Sequence, residues 1–202
     1  MKTAIQQQPE NHLSNIESRW FAIYTNYKRE KMVAGRLKKK GVEHFLPLQK
    51  VTRRYTRKVK HLELPLINCY LFVKIKKSEY IRVVETQDVL NFVRLSKNLI
   101  SIPETEIDVL RLVVGENIEV EAQESRSLSL CNGDEVEILG GSLTGMKGIL
   151  LNQKNEKNFV IELENMGYSL IMDIDPSLLR KIKSGSARTD NEPKGGRFKD
   201  YL

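Results

Sequence analysis

The pattern of apolar and polar positions predicts two differently built parts along the chain. In the first part, four apolar runs predict strands: WFAIYTN (20–26), VEHFLPL (42–48), LINCYLFVKI (66–75) and LNFVRL (90–95). Helical segments lie between and after these runs: KREKMVAGRLKKKG (28–41), SEYIRVVET (78–86) and the segment that follows Pro103. Strands and helices in this order, with connections of unequal length, predict an α+β domain with an antiparallel sheet over residues 19–114.

The first predicted helix, residues 28–41, is amphipathic. At about 100° per residue, Val33, Ala34 and Leu37 share one side. The opposite arc carries the lysines Lys28, Lys31, Lys38 and Lys39. We therefore expect this helix to bury one side against the sheet and to present cations on the other.

Beyond residue 130 the apolar residues form only short, strand-like runs. These are EVEIL, GILLN, NFVIELE, YSLIMDI and LLRKI, and turn residues separate them at short intervals. The pattern predicts a small all-β barrel over residues 131–183. The polar, acidic and Ser-rich stretch 115–130 predicts a linker, and the polar ends, 1–18 and 184–202, predict disordered tails.

One stretch of the second part, GDEVEILGGSLTGMKGILLN (133–152), places glycines between two strand-like runs. Gly141 and Gly145 bracket a predicted tight loop, and Gly148 lies in a strand where a close neighbour would exclude a Cβ. The spacing G-x-x-x-G-x-x-G between two strands resembles the KOW motif of small barrel domains. We interpret these glycines as structural, because no Gly-Lys-Ser/Thr sequence follows them for phosphate binding.

The charge is divided unequally between the two parts. Residues 1–113 hold 22 Lys and Arg against 11 Asp and Glu, a net charge of +11, whereas residues 114–202 hold 11 against 15, a net charge of −4. Between residues 20 and 60 there are 13 Lys and Arg and only Glu30 and Glu43 as acids. The first part is either a surface that faces a polyanion or a solvated basic surface, and the second part is suited to a different partner.

Composition and residue placement favour a globular protein without catalytic chemistry. No window offers about 18 consecutive apolar residues, and the N-terminus lacks the apolar region of a signal peptide, so a cytoplasmic protein without membrane contact is predicted. Cys69 and Cys131 are the two cysteines and form no Cys-x-x-Cys pair, which argues against a disulfide framework or a zinc site. His12, His44 and His61 are scattered, and no nucleophile or carboxylate pair has a recognisable frame. We therefore predict no enzymatic activity, no metal and no cofactor.

Several segments of the first part resemble, in order, the NusG family of bacterial transcription elongation factors. WFAIYTN is similar to the family's first strand, and KREKMVAGRLKKKG and VEHFLPL are similar to its next elements. PLINCYLFV (65–73) is similar to the family's Pro-Leu-Phe-Pro-Gly-Tyr segment, and VLNFVR (89–94) to its final strand. Together with the KOW-like stretch, the resemblance implies an NGN domain, with an antiparallel sheet and helices, followed by a KOW barrel.

Two departures from the family pattern resemble its specialised branch. INCY (67–70) stands where the family usually has Phe-Pro-Gly-Tyr, and TQDV (86–89) stands where it usually has Thr-Pro-Gly-Val. The segment Asn-x-Tyr-Leu-Phe-Val is closer to the RfaH- and UpxY-like antiterminators, which act on particular operons such as those for polysaccharides. This resemblance implies a monomeric factor that suppresses pausing and termination.

In this family an apolar depression on the N-terminal domain binds the clamp helices of the RNA polymerase β′ subunit. The residues that match it here are Ile67 and Tyr70, with Phe45 and Leu46 near the same region. We expect Tyr70 to be half exposed, since it combines an apolar ring with a polar tip. Phe45 is better explained as a core residue.

The resemblance also implies contact with the non-template DNA strand of the transcription bubble. Asn26, Arg36, Lys39 and Lys40 match the positions where the specialised branch contacts DNA, and Lys28 joins them on the cationic arc of the helix. Side chains of these types contact phosphates, and Arg and Asn also read base edges.

The KOW barrel of such a factor recruits a second partner, either a small-subunit ribosomal protein or the termination factor Rho. Two other interpretations remain open: a housekeeping elongation and Rho-dependent termination factor, and a ribosome-associated protein that uses its KOW domain on RNA. The ribosome-associated interpretation predicts a basic C-terminal half, whereas residues 114–202 of this chain carry a net charge of −4.

Overall fold

The computed structural model describes residues 10–55, 58–95, 97–115, 120–125, 133–153 and 156–183. In chain order the elements are β1 (Arg19–Thr25), α1 (Glu30–Lys39), β2 (Glu43–Phe45), β3 (Leu48–Tyr55), β4 (Lys58–Pro65), β5 (Tyr70–Ile75), α2 (Tyr80–Val84), β6 (Val89–Phe92), α3 (Glu104–Gly115), β7 (Val120–Glu124), β8 (Asp134–Ile138), β9 (Lys147–Gln153), β10 (Glu156–Leu163), β11 (Tyr168–Asp173) and β12 (Leu179–Lys183). Within these ranges, no helix is long and apolar enough to cross a membrane.

The described residues fall into two compact units. The first comprises those in Met1–Leu46 and Cys69–Pro103, and the second those in Pro47–Asn68 and Glu104–Asn191. The second unit therefore includes β3, β4 and α3, which lie inside the stretch predicted as the N-terminal domain.

The first unit is an antiparallel sheet with the strand order β2-β5-β1-β6. β1 and β5 occupy its centre, and their register places Phe21 opposite Val73 and Ile23 opposite Leu71. These four side chains are fully buried. An apolar run buried along nearly its whole length is what a central strand requires, so the α+β class and the central position of β5 are confirmed.

Helix α1 buries the side that its periodicity predicts. Val33 and Leu37 are fully buried in the core of the first unit, and Ala34 packs against that core. The helix ends at Lys39, and Gly41 follows with a φ of +70°, a left-handed conformation that glycine adopts at low cost.

Residues 10–18 lie within the stretch predicted as a disordered tail, yet they belong to the first unit. The amide of His12 donates to the carbonyl of Leu99 at 2.9 Å, and the amide of Leu99 donates to the carbonyl of Glu10 at 2.9 Å. His12 Nδ1 also accepts from the amide of Ser101 at 3.0 Å. Polar groups of this segment are satisfied by hydrogen bonds to a loop that is distant in the chain. Local sequence does not reveal such a contact. The predicted tails at 1–9 and 184–202 lie outside the described residues.

The strand predicted over residues 66–75 begins only at Tyr70, because a turn precedes it. Cys69 occupies that turn with a φ of +63°. The carboxylate of Glu30, which is 3% exposed, accepts from the Cys69 amide at 2.8 Å. The first residue of α1 therefore holds a backbone conformation that a cysteine rarely adopts.

The second unit contains a six-stranded antiparallel sheet with the order β12-β8-β9-β10-β11-β7. The all-β prediction for residues 131–183 is confirmed in the described residues, which show this sheet but no pairing that closes it into a barrel. β7 lies inside the predicted linker and pairs with β11 from Val120 opposite Met172 to Glu124 opposite Tyr168. Its polar composition fits an edge strand, which has only one neighbour.

Helix α3 is also part of the second unit. Its residue Glu106 accepts from the Asn165 amide at 3.2 Å and from the Asn165 side chain at 2.6 Å. Burial raises the pKa of the Glu106 carboxyl despite these two hydrogen bonds. The contact joins α3 to the turn between β10 and β11.

The glycines of the KOW-like stretch have the structural roles predicted for them. Gly141 and Gly145 adopt φ values of +80° and +85° in the loop between β8 and β9. A Cβ on Gly148 would lie 2.6 Å from the ring of Phe159 and 2.6 Å from the carbonyl oxygen of Val160. The glycine at 148 therefore permits the close approach of β9 to β10.

We expect Gly148→Ala to lower the free energy of unfolding by about 2 kcal/mol, since the added methyl overpacks against a ring and a backbone oxygen. Gly35→Ala in α1 is the matched control, because nothing lies within 4 Å of its added Cβ. This control should raise stability by about 0.5–1 kcal/mol through helix propensity. Urea denaturation of both variants measures the two changes, and a neutral Gly148→Ala would contradict the close approach.

Candidate functional site

The surface of α1 that faces away from the sheet is cationic, as the helical spacing predicts. Lys31, Lys38 and Lys39 are exposed, and Lys28 lies exposed just before the helix. Lys28 has a φ of +61°, and its ammonium group lies 5.0 Å from the centre of the Tyr27 ring. An exposed cluster of ammonium groups on one helix is suited to contacts with phosphates.

Two of the predicted DNA-binding residues converge on a single carboxylate. Asn26 Nδ2 donates to Asp88 Oδ1 at 3.1 Å, and an Arg36 guanidinium nitrogen donates to Asp88 Oδ2. The same nitrogen of Arg36 donates to the Gln87 carbonyl at 2.9 Å. These hydrogen bonds, those from Arg36 and Asn26 in that order, hold the pKa of the Asp88 carboxyl below its usual value.

Asp88 itself was not among the residues predicted for the site. Asp88 has a φ of +70°. It lies in TQDV (86–89), one of the two segments that depart from the pattern of the family that the sequence resembles, and this departure could have identified it. Asp is among the residues that tolerate the left-handed region, and here its carboxylate also fixes the orientation of Arg36.

Lys40 is held by a second set of intramolecular contacts. Its ammonium group donates to the Arg82 carbonyl at 3.0 Å and to Thr86 Oγ1 at 2.8 Å. Three of the five predicted DNA-binding residues, Asn26, Arg36 and Lys40, therefore bond to the segment before β6. The other two, Lys28 and Lys39, are exposed.

Tyr70 is not half exposed, and that expectation is wrong. It is 4% exposed because it begins the central strand β5 opposite Tyr24. The two hydroxyl groups are hydrogen-bonded at 2.7 Å, and the two rings meet edge to face with centroids 4.7 Å apart. The polar tip of Tyr70 is thus satisfied by a second tyrosine.

The other residues predicted to bind polymerase differ in exposure. Ile67 is 3% exposed, whereas Phe45 and Leu46 are half-buried. Phe45 stacks on Phe72 with ring centroids 6.4 Å apart, and Leu46 packs against the core of the first unit. Phe45 and Leu46 therefore present the more accessible apolar surface of the predicted set.

The second unit exposes apolar side chains at one end of its sheet. Leu139 and Leu178 are 49% and 39% exposed, and the Leu139 amide donates to the Leu178 carbonyl at 2.8 Å. The acidic residues Glu135 and Glu137 lie on β8, which leads into this loop. Exposed apolar side chains are a surface on which a protein partner can dock.

Residues 18–111 match the family model described as "Transcription termination factor nusG". The structure of Thermotoga maritima NusG, titled "Domain interaction in Thermotoga maritima NusG", superposes with a TM-score of 0.50 at 18% identity, covering 84% of this chain and 100% of that chain. Conformation A of the MjSpt4:Spt5 complex gives 19% identity over 82% of this chain and 99% of that chain, with a TM-score of 0.29. No curated protein matches the chain. Residues 18–111 are thus similar to the NusG family model, and the first superposition shows a shared fold.

We expect Arg36→Gln to raise the pKa of Asp88 toward its ordinary value, because the guanidinium is the largest cause of its lowering. The depressed pKa means that this interaction stabilises the fold above the unfolded-state pKa and is lost as the pH falls through the folded-state pKa. NMR titration of the Asp88 carboxyl measures the change. Lys39→Gln is the control and should leave the titration nearly unchanged; a shift equal to that of Arg36→Gln would contradict the assignment.

Proposed function

We propose that this chain is a non-enzymatic transcription elongation factor that binds the clamp helices of RNA polymerase and the non-template DNA strand. By holding both, it suppresses pausing and termination. The observation that carries the proposal is the match of residues 18–111 to the NusG family model. The antiparallel sheet of the first unit, with its cationic helix, supports it.

The proposed polymerase contact is centred on Phe45 and Leu46. Both are half-buried apolar side chains at the end of β2, where they offer apolar surface while remaining supported by the core. Tyr70 contributes through its hydrogen bond to Tyr24, which fixes the ring at the start of β5. Ile67 is buried within the second unit, and its part in polymerase binding stays a prediction.

The proposed DNA contact divides into two kinds of residue. Lys28 and Lys39 are exposed ammonium groups and would contact backbone phosphates, which confers affinity without sequence preference. Asn26 and Arg36 are oriented by Asp88, so their remaining donors are held in place for a base edge. Lys40 supports this arrangement through its bonds to Arg82 and Thr86.

The C-terminal part of the chain, residues 114–202, would recruit a further protein, either a small-subunit ribosomal protein or Rho. The net charge of −4 over residues 114–202 favours a protein partner over ribosomal RNA, because an acidic surface repels phosphates. The exposed Leu139 and Leu178 provide apolar surface for such a contact.

We further propose that the chain is an antiterminator of the specialised, operon-specific branch, on a polysaccharide-type operon. The departures INCY (67–70) and TQDV (86–89) support this, because both replace the glycine of the housekeeping pattern. In the structure Cys69 and Asp88 take the left-handed conformation at those two positions, and Asp88 also holds Arg36.

In vitro transcription across a terminator, with and without the protein, tests the proposed function. We expect increased read-through and shorter pauses. Increased termination in the presence of Rho would instead support the housekeeping interpretation, which the description of the matching family model also suggests. No effect on elongation or termination would contradict both.

We expect Phe45→Ala to weaken binding to RNA polymerase roughly tenfold, or about 1.4 kcal/mol, if Phe45 is an apolar anchor of the interface. His44→Ala, at the neighbouring position of β2, is the matched control and should bind normally. Circular dichroism and thermal melting establish that both variants are folded. Normal affinity of a folded Phe45→Ala variant would remove this residue from the interface.

We expect the double variant Lys28→Gln/Lys39→Gln to bind single-stranded DNA more weakly and with less salt dependence. Each lost phosphate contact reduces the slope of log K against log salt by about 0.7, so the double variant should lose about 1.4. Lys76→Gln/Lys77→Gln removes two exposed lysines elsewhere in the first unit and serves as the control. Equal slopes for the two double variants would contradict the proposed DNA surface.

A further inference from the structure

The β3–β4 hairpin is the most basic exposed element of the second unit. It forms a two-stranded sheet of its own, from Leu48 opposite Pro65 to Tyr55 opposite Lys58. Glu63 is its single acidic residue among the described positions. Its described cations, all exposed, are Lys50, Arg53, Arg54, Lys58 and Lys60.

The register places like charges on one face of the hairpin tip. Arg53 lies directly opposite Lys60, and directly opposed residues of an antiparallel pair share a face. Lys58 is two residues from Lys60 and therefore projects from the same face. Like charges in directly opposed positions destabilise a hairpin, so this arrangement is not explained by stability.

The other face of the hairpin is arranged differently. There Thr52 Oγ1 and His61 Nδ1 are hydrogen-bonded at 3.0 Å, and Lys50 lies opposite Glu63. Among the described residues, only Arg54, opposite the exposed Val59, places a cation near the tip on this face. The tip therefore carries cations on both faces, and they are most concentrated on the face of Arg53.

Nearer its base, the face that bears Arg53 becomes apolar. Val51 and Leu62 are opposite each other on this face and are half-buried. α3, in the same unit, lies against β3. The apolar base of the hairpin is therefore half-buried, while the described cations nearer the tip are exposed to a partner.

We propose that the tip of this hairpin binds the phosphate backbone of duplex DNA, with Arg53, Lys58 and Lys60 as the main contacts and Arg54 as the contact on the opposite face. Neutralisation by phosphates would relieve the repulsion between Arg53 and Lys60. The inference deepens the proposed function, because a factor that acts on a transcription bubble meets duplex DNA at the ends of the bubble.

The shape of the hairpin favours a DNA duplex over other polyanions. A two-stranded β-ribbon fits the major groove of B-form DNA, which is about 12 Å wide and is bordered by phosphates on both sides. Cations on both faces of the tip can then meet both backbones, whereas a single strand would meet one face. The major groove of A-form RNA is too narrow for a ribbon.

The test compares full-length wild type with the double variant Arg53→Gln/Lys60→Gln on a DNA duplex of about two helical turns. Fluorescence anisotropy over a series of salt concentrations gives affinity and slope. We expect roughly tenfold weaker binding, and a slope reduced by about 1.8, since each lost phosphate contact on a duplex accounts for about 0.9. Lys77→Gln/Arg94→Gln, which removes one lysine and one arginine from exposed positions of the first unit, should behave like wild type.

Four further measurements, including single-strand binding by Arg53→Gln/Lys60→Gln, distinguish the possible outcomes. Lys28→Gln/Lys39→Gln should retain duplex binding, so that a failure of the proposed single-strand surface leaves the hairpin assignment standing. An RNA duplex should bind more weakly than DNA to wild type, and the melting temperature of Arg53→Gln/Lys60→Gln should be equal or higher. Unchanged duplex affinity and slope in that variant, equal binding of RNA and DNA duplexes, or an equal loss of single-strand binding would overturn the proposal.

Discussion

The antiparallel pairing of β1 with β5 is the interaction on which the first unit depends. Phe21 and Ile23 bury against Val73 and Leu71 across that pair, and α1 packs Leu37 onto the same core. A one-residue slip would turn each of these side chains to the opposite face of the sheet, so burial fixes the register strongly. Because α1 is held by this core, its cationic arc has a fixed orientation, and the proposed DNA surface follows from packing beneath it.

The carboxylate of Asp88 fixes the orientation of polar side chains on that surface. Asp88 is bonded to both Arg36 and Asn26, and Lys40 is bonded to Arg82 and Thr86. A group of cations on a helix would otherwise consist of mobile side chains that repel one another. Hydrogen bonds to intramolecular acceptors restrict Arg36 and Lys40, whereas Lys28 and Lys39 are exposed. The held side chains have a fixed orientation, and the exposed lysines are suited to attract phosphate.

Both units are built on antiparallel strand pairing, but they differ in how their strands are buried. In the first, both faces of the central strands are buried; in the second, a longer antiparallel sheet relies on close approach at Gly148 and ends in the polar edge strand β7. The β3–β4 hairpin has no partner strand in the described chain and carries opposed like charges at its tip. Structural roles explain the glycine and the edge strand, whereas the hairpin charges are best explained by a polyanionic ligand.

Local periodicity was enough to identify the amphipathic α1, the buried strand β5 and the structural glycines, since each depends on neighbours within a few residues. The sequence also determined the unequal distribution of charge. Tertiary structure decided the rest: the burial of Tyr70 against Tyr24, the meeting of Arg36 with Asp88, and the pairing of His12 with the loop near Leu99. These pairs are separated by many positions in the chain, and their contacts arise only when the sheet brings distant segments together. For that reason the type of surface was predictable from sequence, but which of its residues are buried, held or exposed was not.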